Sequence, residues 1–455
     1  MKLIQIILNE IKESENVPFY IIFVKALQKG LESKELMQGE PLPTHRELAE
    51  KLHLSLGTVS RAYKEAQKRS LTEAVIGKGT IISAPSQHID IITEQQTYFD
   101  LSFISPFEYL NPSLEEAIKN LKIDGRELLK YHAPSGMDKH KKAGALWTQR
   151  FGLTTSYKNI LICAGAQHAL LSLLMGLFRA GDKIAAECFT YPLLKELCQR
   201  LSLNLIPIKM DEAGIIPSAF EAACKNGGIK GLYLMPSCQN PTLCQIPEYR
   251  RCELIEICRK YDIKIIEDDV YALSLEQKLT PFATLCPERT FFIASTSEAL
   301  SGGLRIAYIT SPDEFFEIIE QSIGYSISMA APLMAEIASY WITNGIADQC
   351  LWAKKEEAAA RNVLARRILD GYTLETRSTG FYAWLTLPPP WNNESFTKKA
   401  KENGVLVADC THFSIQSYPS KEAVRLALGG IEKRKDLTKA LTIITNILHK
   451  NPKDS

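Results

Sequence analysis

Three consecutive acids and a tyrosine close an apolar run in IKIIEDDVYALSLE (Ile263–Glu276): Glu267, Asp268, Asp269 and Tyr271. Carboxylates at the C-terminal end of a buried strand face the ligand crevice of an open α/β sheet. Asp268 can pair there with a pyridine nitrogen and keep it protonated, which makes the ring an electron sink. Tyr271 can reach a neighbouring ring oxygen. Further on, FFIASTSEALSGGLRIAYIT (Phe291–Thr310) supplies hydroxyls at Ser295 and Ser297 and a guanidinium at Arg305, a set suited to a phosphate. NILICAGAQHALLSLL (Asn159–Leu174) reads as strand, small-residue turn and helix. Gly165 and Ala166 let the free N–H groups of that helix start approach an anion. ECFTYP sets Tyr191 after a strand, where its flat ring either stacks on a ligand ring or fills the core. MPSCQNPT puts Asn240 at a strand end, its amide able to donate to a phenolic oxygen, with Pro241 fixing the bend.

Such side chains need a scaffold that gathers strand ends. Apolar runs at Asn159–Cys163, Lys183–Ala186, Gly231–Met235, Ile263–Ile266, Phe291–Ala294 and Ala307–Thr310 alternate with amphipathic helices. Continuous apolar strands between helices predict a parallel sheet covered on both faces. From Ala331 the pattern turns helical, then gives shorter strands near Ala383–Leu387 and Val424–Leu428, a smaller α+β part. The polar stretch APSQHIDIITEQQTY (84–98) lacks helical periodicity and reads as a linker. The expected division is therefore 1–83, linker 84–98, and 99–455, the last with a large part at about 135–330 and a small part from 99–134 and 331–450.

The N-terminal segment is mostly helical. Phe19, Ile22, Phe23, Ala26, Leu27 and Leu31 recur at helical spacing. In LPTHRELAEKLHLSLGTVSRAYKEAQ, Thr44 and Glu47 form a capping box, and Leu48, Ala49 and Leu52 make the buried stripe of a short helix. After a turn at Leu54–Leu56, a second helix from about Gly57 to Lys68 buries Val59, Ala62 and Tyr63. Two short helices with a tight turn read as a helix-turn-helix whose second helix enters a major groove. Thr58, Ser60, Arg61 and Lys64 lie at its start or outer face, Arg69 beyond its end, and Gly77 and Gly79 mark a hairpin wing.

Composition bounds these readings. The formal charge is +1, from 53 bases and 52 acids, so any surface for nucleic acid must be local. Apolar runs such as Ala169–Phe178 fall short of the roughly 20 residues a spanning helix needs, so no membrane role is expected. The start MKLIQIILNEIKESENV lacks the small-residue site of a cleaved leader. Eleven cysteines, none spaced CxxC, fit neither a zinc site nor a disulfide framework and point to reduced thiols in a cytoplasmic protein.

Two resemblances complete the reading. LPTHRELAEKLHLSLGTVSRAYKEAQ followed by GKGT resembles the winged-helix domain of the GntR regulators. That resemblance implies contacts to double-stranded DNA from Arg46, Thr58, Arg61 and the wing at Lys78 and Gly79; Leu56 stands where the family usually has an arginine. The five motifs of the second part, in their order, resemble a type I pyridoxal-phosphate aminotransferase. The implied phosphate cradle is Gly165, Ala166, Ser295, Ser297 and Arg305, with Tyr191 stacking, Asn240 and Tyr271 on the ring oxygen and Asp268 on the ring nitrogen. By the same resemblance Tyr131, in YHAPSG, reaches a partner subunit's phosphate and Arg425, in VRLALGG, clamps a ligand carboxylate. The combination is that of MocR-type regulators: a multi-domain chain with an N-terminal winged helix-turn-helix, mostly α, joined to an α/β aminotransferase fold with a smaller α+β subdomain.

One residue departs from the pattern. The family's Ser-Lys-x-Leu-x-x-Gly-x-Arg becomes Ser297, Glu298, Ala299, Leu300, Gly303, Leu304 and Arg305 without a gap, so Glu298 stands where the Schiff-base lysine belongs. A carboxylate cannot condense with an aldehyde, so no catalytic residue is assigned. A carboxylate about 5 Å from a phosphate costs roughly 3 kcal/mol at an effective dielectric near 20, unless it protonates or faces a cation. The expectation is a homodimeric DNA-binding regulator whose aminotransferase-like part dimerises and senses an amino-acid-like or vitamin B6-type molecule, with pyridoxal phosphate or pyridoxamine phosphate held non-covalently. Two alternatives stand beside it. One is an active aminotransferase carrying a winged helix, for which Lys195 or Lys278 would have to replace the lysine. The other is a constitutive DNA-binding scaffold with a decayed cofactor site.

Overall fold

Thr44 stops one chain direction and starts a helix: its hydroxyl accepts from the Glu47 N–H at 3.2 Å, and the Glu47 carboxylate accepts from the Thr44 N–H at 2.8 Å. The expected capping box is therefore present. It opens α3 (His45–Lys51) in a unit that also holds α1 (Lys2–Glu13), α2 (Phe19–Glu32), α4 (Leu56–Lys68), β1 (Thr72–Val75) and β2 (Gly79–Ile82). Phe23, Leu27, Leu48, Val59, Ala62 and Tyr63 form its core, as their helical spacing requires. β1 and β2 pair antiparallel, Thr72 opposite Ile82 and Val75 opposite Gly79. This computed structural model describes residues 2–13, 18–33, 35–37, 39–68, 71–75, 79–82, 98–105, 107–121, 125–415 and 421–450. Arg69, Gly77, Lys78 and nearly all of the stretch read as a linker lie outside the described residues.

The chain divides into two units, Met1–Gln96 and Thr97–Ser455. The second begins with β3 (Phe99–Leu101) and contains a seven-stranded sheet among the described residues. Its strands are β4 (Ile160–Cys163), β5 (Lys183–Glu187), β6 (Asn204–Ile208), β7 (Ile229–Leu234), β8 (Lys264–Asp268), β9 (Thr290–Ser295) and β10 (Ala307–Thr310), in the order β4-β10-β9-β8-β7-β5-β6. The ladder is parallel from β9 to β6, and β4, β9 and β8 are buried on both faces.

Two sequence expectations need correcting. β10 runs antiparallel to both β9 and β4, so the sheet is not wholly parallel. The connection Thr296–Ile306 holds only a 3-10 turn at Gly302–Leu304, too short for the helical crossover that parallel neighbours need. The acid-bearing strand also extends past Ile266, because its ladder with β9 continues to Asp268 opposite Ile293.

β11 (Leu374–Thr376), β12 (Tyr382–Thr386), β13 (Val405–Asp409) and β14 (Ala423–Ala427) join β3 in a second sheet, ordered β11-β12-β14-β13-β3. The 23-residue helix α7 (Ile346–Ile368) packs on both the sheet turns and the last helix of the chain. Two shorter helices matter for the site: α5 (Ala166–Leu177) follows β4, and α6 (Pro192–Arg200) follows β5.

Candidate functional site

Strand alternation divides the three acids of β8. Glu267 and Asp269 share one face and Asp268 takes the other. On the first face Glu267 accepts from the Phe282 and Ala283 N–H groups at 2.9 and 2.8 Å, and Asp269 accepts from the Ser237 hydroxyl at 2.6 Å. Arg251, fully buried, lies 3.6 Å from Glu267 and donates to the Ser237 hydroxyl at 3.1 Å. That network is structural. On the second face Asp268 receives the Tyr233 hydroxyl at 2.7 Å on Oδ2, while its buried Oδ1 has no hydrogen-bond partner. Burial pushes Asp268 up to about 7; the Tyr233 bond opposes the rise and the charge of Asp269 adds to it.

The anion end is built by α5, Ser297 and Arg305. Gly165 caps α5 at φ 85°, a left-handed value that favours glycine, and a Cβ there would lie 2.3 Å from Arg305 Nη2. The guanidinium thus rests against the start of α5, whose first N–H groups lack helical acceptors. Arg305 Nη1 also reaches the Ser297 hydroxyl at 3.4 Å, and the Ser297 N–H donates to the Ser295 hydroxyl at 3.1 Å. Tyr191, at the head of α6, accepts from the Gln167 amide at 2.9 Å. Burial raises its phenol, and the charges of Asp268, Glu298 and Arg305 all act on it.

The far end is built from β14. Arg425 is buried; it donates to Asn240 Oδ1 at 2.9 Å and to the Ser102 carbonyl, and lies 4.8 Å above the Phe413 ring. An amide that accepts through its oxygen presents its nitrogen as a donor elsewhere, so Asn240 Nδ2 is left to face another group. Arg425 Nε is buried with no partner. Tyr271 packs edge-on against Tyr382, ring centres 5.2 Å apart, and burial holds its phenol well above the usual range, with the charge of Glu298 adding.

Glu298 sits between these ends. It is partly buried, and its Oε2 is enclosed without a hydrogen-bond partner. Burial pushes its carboxyl up to about 7, against the pull of Lys354, Arg425 and Arg305. The backbone beneath it is held by α7: Lys354 Nζ donates to the carbonyls of Glu298 at 3.3 Å and Leu300 at 3.0 Å, and Cys350 Sγ to that of Ala299 at 3.3 Å. Lys354 is buried, and burial lowers its ammonium.

Contacts and charge interactions thus link Gly165, Tyr191, Asn240, Asp268, Tyr271, Ser295, Ser297, Glu298, Arg305 and Arg425 into one group, with Ala166 next to Gly165 at the head of α5. Tyr131 is not among them; it is 89% exposed. Lys195 and Lys278 are exposed as well, whereas the lysine at the turn is Lys354. Sequence reasoning missed Tyr233, Gln167 and Lys354. Only Tyr233 left a signal: a phenol in a buried strand needs an acceptor.

In the N-terminal unit, Arg46 on α3 and Arg61 and Lys64 on α4 are exposed. Arg61 stacks over Tyr20 at 4.6 Å, which fixes its stem. Thr58 shares a hydroxyl contact with Ser55 at 2.8 Å, and its N–H caps on the Ser55 hydroxyl at 3.1 Å. Ser60 is engaged internally by His45 Nδ1 at 3.2 Å. Gly79 opens β2 at φ 80° with open space around it.

Among the described residues no cluster of metal-ligating side chains occurs, no helix is long and apolar enough to cross a membrane, and all eleven cysteines are unpaired. Residues 106–444 match the family described as aminotransferase class I and II, and residues 24–82 match the bacterial regulatory proteins of the gntR family. The chain is 30% identical over 437 residues to the HTH-type transcriptional regulator YdeF of Bacillus subtilis, covering 95% of this chain and 94% of that one. To the regulator YdfD of the same organism it is 24% identical, covering 88% and 90%. Among solved structures, kynurenine aminotransferase of Pyrococcus horikoshii superposes with a TM-score of 0.71 at 19% identity, over 78% of this chain and 91% of that one. LysN, the α-aminoadipate aminotransferase of Thermus thermophilus, gives 0.70 at 21%, over 78% and 92%.

Proposed function

This chain belongs to the class I and II aminotransferase family and carries a gntR-family DNA-binding domain, the MocR-type architecture, and we propose that it is a transcriptional regulator whose second unit senses a ligand without covalent catalysis. The observation that carries the reading is Glu298, a carboxylate in the position from which a lysine would hold the cofactor.

The aminotransferase fold implies a pyridoxal-phosphate-type cofactor. The residues present fit one: a buried carboxylate oxygen of Asp268 lacks a partner, and the α5 start with Arg305 and Ser297 forms an anion cradle. When bound, such a cofactor supplies an electron-withdrawing ring. Gly165, Ala166, Ser295, Ser297 and Arg305 would hold its phosphate, Asp268 its ring nitrogen, Asn240 and Tyr271 its ring oxygen, and Tyr191 its face. Arg425 would take a ligand carboxylate. With Glu298 at the turn and Lys354 Nζ bound to the carbonyls of Glu298 and Leu300, the cofactor or its amino-acid-like analogue would be retained by these contacts alone.

Arg46, Thr58, Ser60, Arg61, Lys64, Gly79 and, outside the described residues, Lys78 would meet double-stranded DNA, Ser60 while also bonded to His45. A second copy of the chain is the expected partner, by the same family resemblance, and Tyr131, 89% exposed, is open to it. A ligand that prefers one arrangement of the dimer would shift its DNA affinity. Footprinting of the full chain on its own upstream DNA, with and without pyridoxal phosphate and pyridoxamine phosphate, tests the reading. A footprint that changes with ligand supports it. An unchanged footprint supports a constitutive scaffold, and amino-group transfer between ordinary amino and keto acids would return the chain to the enzymes.

A further inference from the structure

The crevice carries an unusual charge pattern. Two carboxylates lie in it, each with one enclosed oxygen that no donor reaches: Asp268 Oδ1 and Glu298 Oε2. Asp268 already has an assignment in the reading above. Glu298 does not. Among the described residues the cations around it hydrogen-bond to other acceptors, although Arg425 Nε has no partner. Lys354 is bound to the carbonyls of Glu298 and Leu300, Arg425 to Asn240 and the Ser102 carbonyl, and Arg305 to Ser297 and the Gly302 carbonyl. Among the described residues none of them makes an ion pair with the Glu298 carboxylate, although all three favour its charged form. Glu298 Oε2 therefore lacks a donor, at a position that on this reading would lie between the ligand's phosphate cradle and Arg425.

We propose that Glu298 is the counter-ion of a primary ammonium on the ligand, so that the pocket selects the amine form of a phosphorylated pyridine, pyridoxamine phosphate, over its aldehyde. The inference rests on the reading of this crevice as a site for such a cofactor. An ammonium brings N–H donors and a positive charge to the orphaned oxygen. An aldehyde brings only a lone-pair acceptor, which a carboxylate repels, and the amine nearby, that of Lys354, is bound to main-chain carbonyls. A charge-assisted hydrogen bond gained by one form and denied to the other is worth roughly ten- to a hundred-fold in affinity. The same logic admits an amino acid carried on the ring, provided its nitrogen remains protonated. Tyr191 and Tyr271, the other titratable groups that feel Glu298, are both raised by burial and stay neutral, so they do not compete for the ammonium.

The test is equilibrium dialysis of the full chain against pyridoxamine phosphate, pyridoxal phosphate and inorganic phosphate, with Glu298→Gln and Asp268→Asn beside it. The expected result is a preference for pyridoxamine phosphate of about ten-fold or more in the parent. In Glu298→Gln that preference falls to within a few-fold, through weaker binding of the amine form. Asp268→Asn weakens both forms alike. Equal affinities in the parent, or a preference that survives in Glu298→Gln, overturn the inference and leave the regulator reading standing. Retention of neither form by a chain that still binds DNA overturns it together with the cofactor site. A normal amine preference in a chain that binds no DNA would instead sink only the regulator reading.

Discussion

Replacing Glu298 with glutamine removes a proton-binding group and keeps the side chain's size. In the folded chain burial pushes Glu298 from the usual 4.5 up to about 7, so the folded state holds this proton more tightly than the unfolded one. The stability tied to it is complete below about pH 4.5 and drains away as pH rises through about 7. By about pH 8 the loss is roughly 3 kcal/mol. The glutamine variant has no such loss. It should match the parent in weak acid and exceed it by roughly 3 kcal/mol near pH 8. At ~2.1 cal/mol/K of unfolding entropy per residue over the unit Thr97–Ser455, that is a melting temperature higher by about 4 °C. Differential scanning calorimetry of both proteins in the ligand-free form, across this pH range, reads the gap directly. Asp268 and Glu187, raised to about 7 and about 8, titrate in both proteins and cancel in the difference. A gap that stays constant with pH, or closes as pH rises, refutes the picture of a buried carboxylate waiting for a counter-ion.

Further outcomes follow from the structure. Glu298→Lys should give the full chain a visible absorbance band with added pyridoxal phosphate that the parent lacks; an unchanged spectrum would mean that the pocket has lost more than its lysine. Arg251→Met strips donors from the Ile246 and Thr280 carbonyls and from the Ser237 hydroxyl and leaves Glu267 uncompensated. Denaturant titration should record a loss of roughly 3–5 kcal/mol, and a loss below about 1 would show the network to be dispensable. Tyr233→Phe removes the bond that opposes the rise of Asp268, so a carboxyl NMR titration should find Asp268 above about 7. Arg61→Ala should flatten the salt dependence of DNA binding by about one unit of slope, while Thr44→Ala should cost about 1 kcal/mol of stability in the first unit and leave that slope alone.

Local pattern made much of this legible. The capping box at Thr44 and Glu47, the stripe Val59, Ala62 and Tyr63, and the strand–turn–helix at Gly165 are each specified by neighbours a few residues apart. Chain order also underlies the expectation that Glu298 takes the lysine's place, because its flanks resemble the family pattern without a gap. The state of Glu298 was not legible. Whether a carboxylate meets a cation depends on Lys354, Arg425 and Arg305, and the first two lie 56 and 127 residues further on and turn their donors elsewhere. The reversal of β10 escaped a reading based on apolar runs, since such runs look alike in either direction and only the connection length distinguishes them. The choice of Asp268 over Glu267 and Asp269 rested on the resemblance, and strand alternation gives its physical reason by putting those two on the other face, near Arg251.

Three successive carbonyls, those of Glu298, Ala299 and Leu300, are tied down from behind by one flank of α7. The course of the main chain through the turn is thus set by a helix and not by whatever side chain projects forward from it. Position 298 would then act as a socket, its main chain held whichever side chain it carries. On the reading proposed above, one replacement there would exchange tethering a coenzyme for merely hosting it, with the turn beneath still held by the same helix.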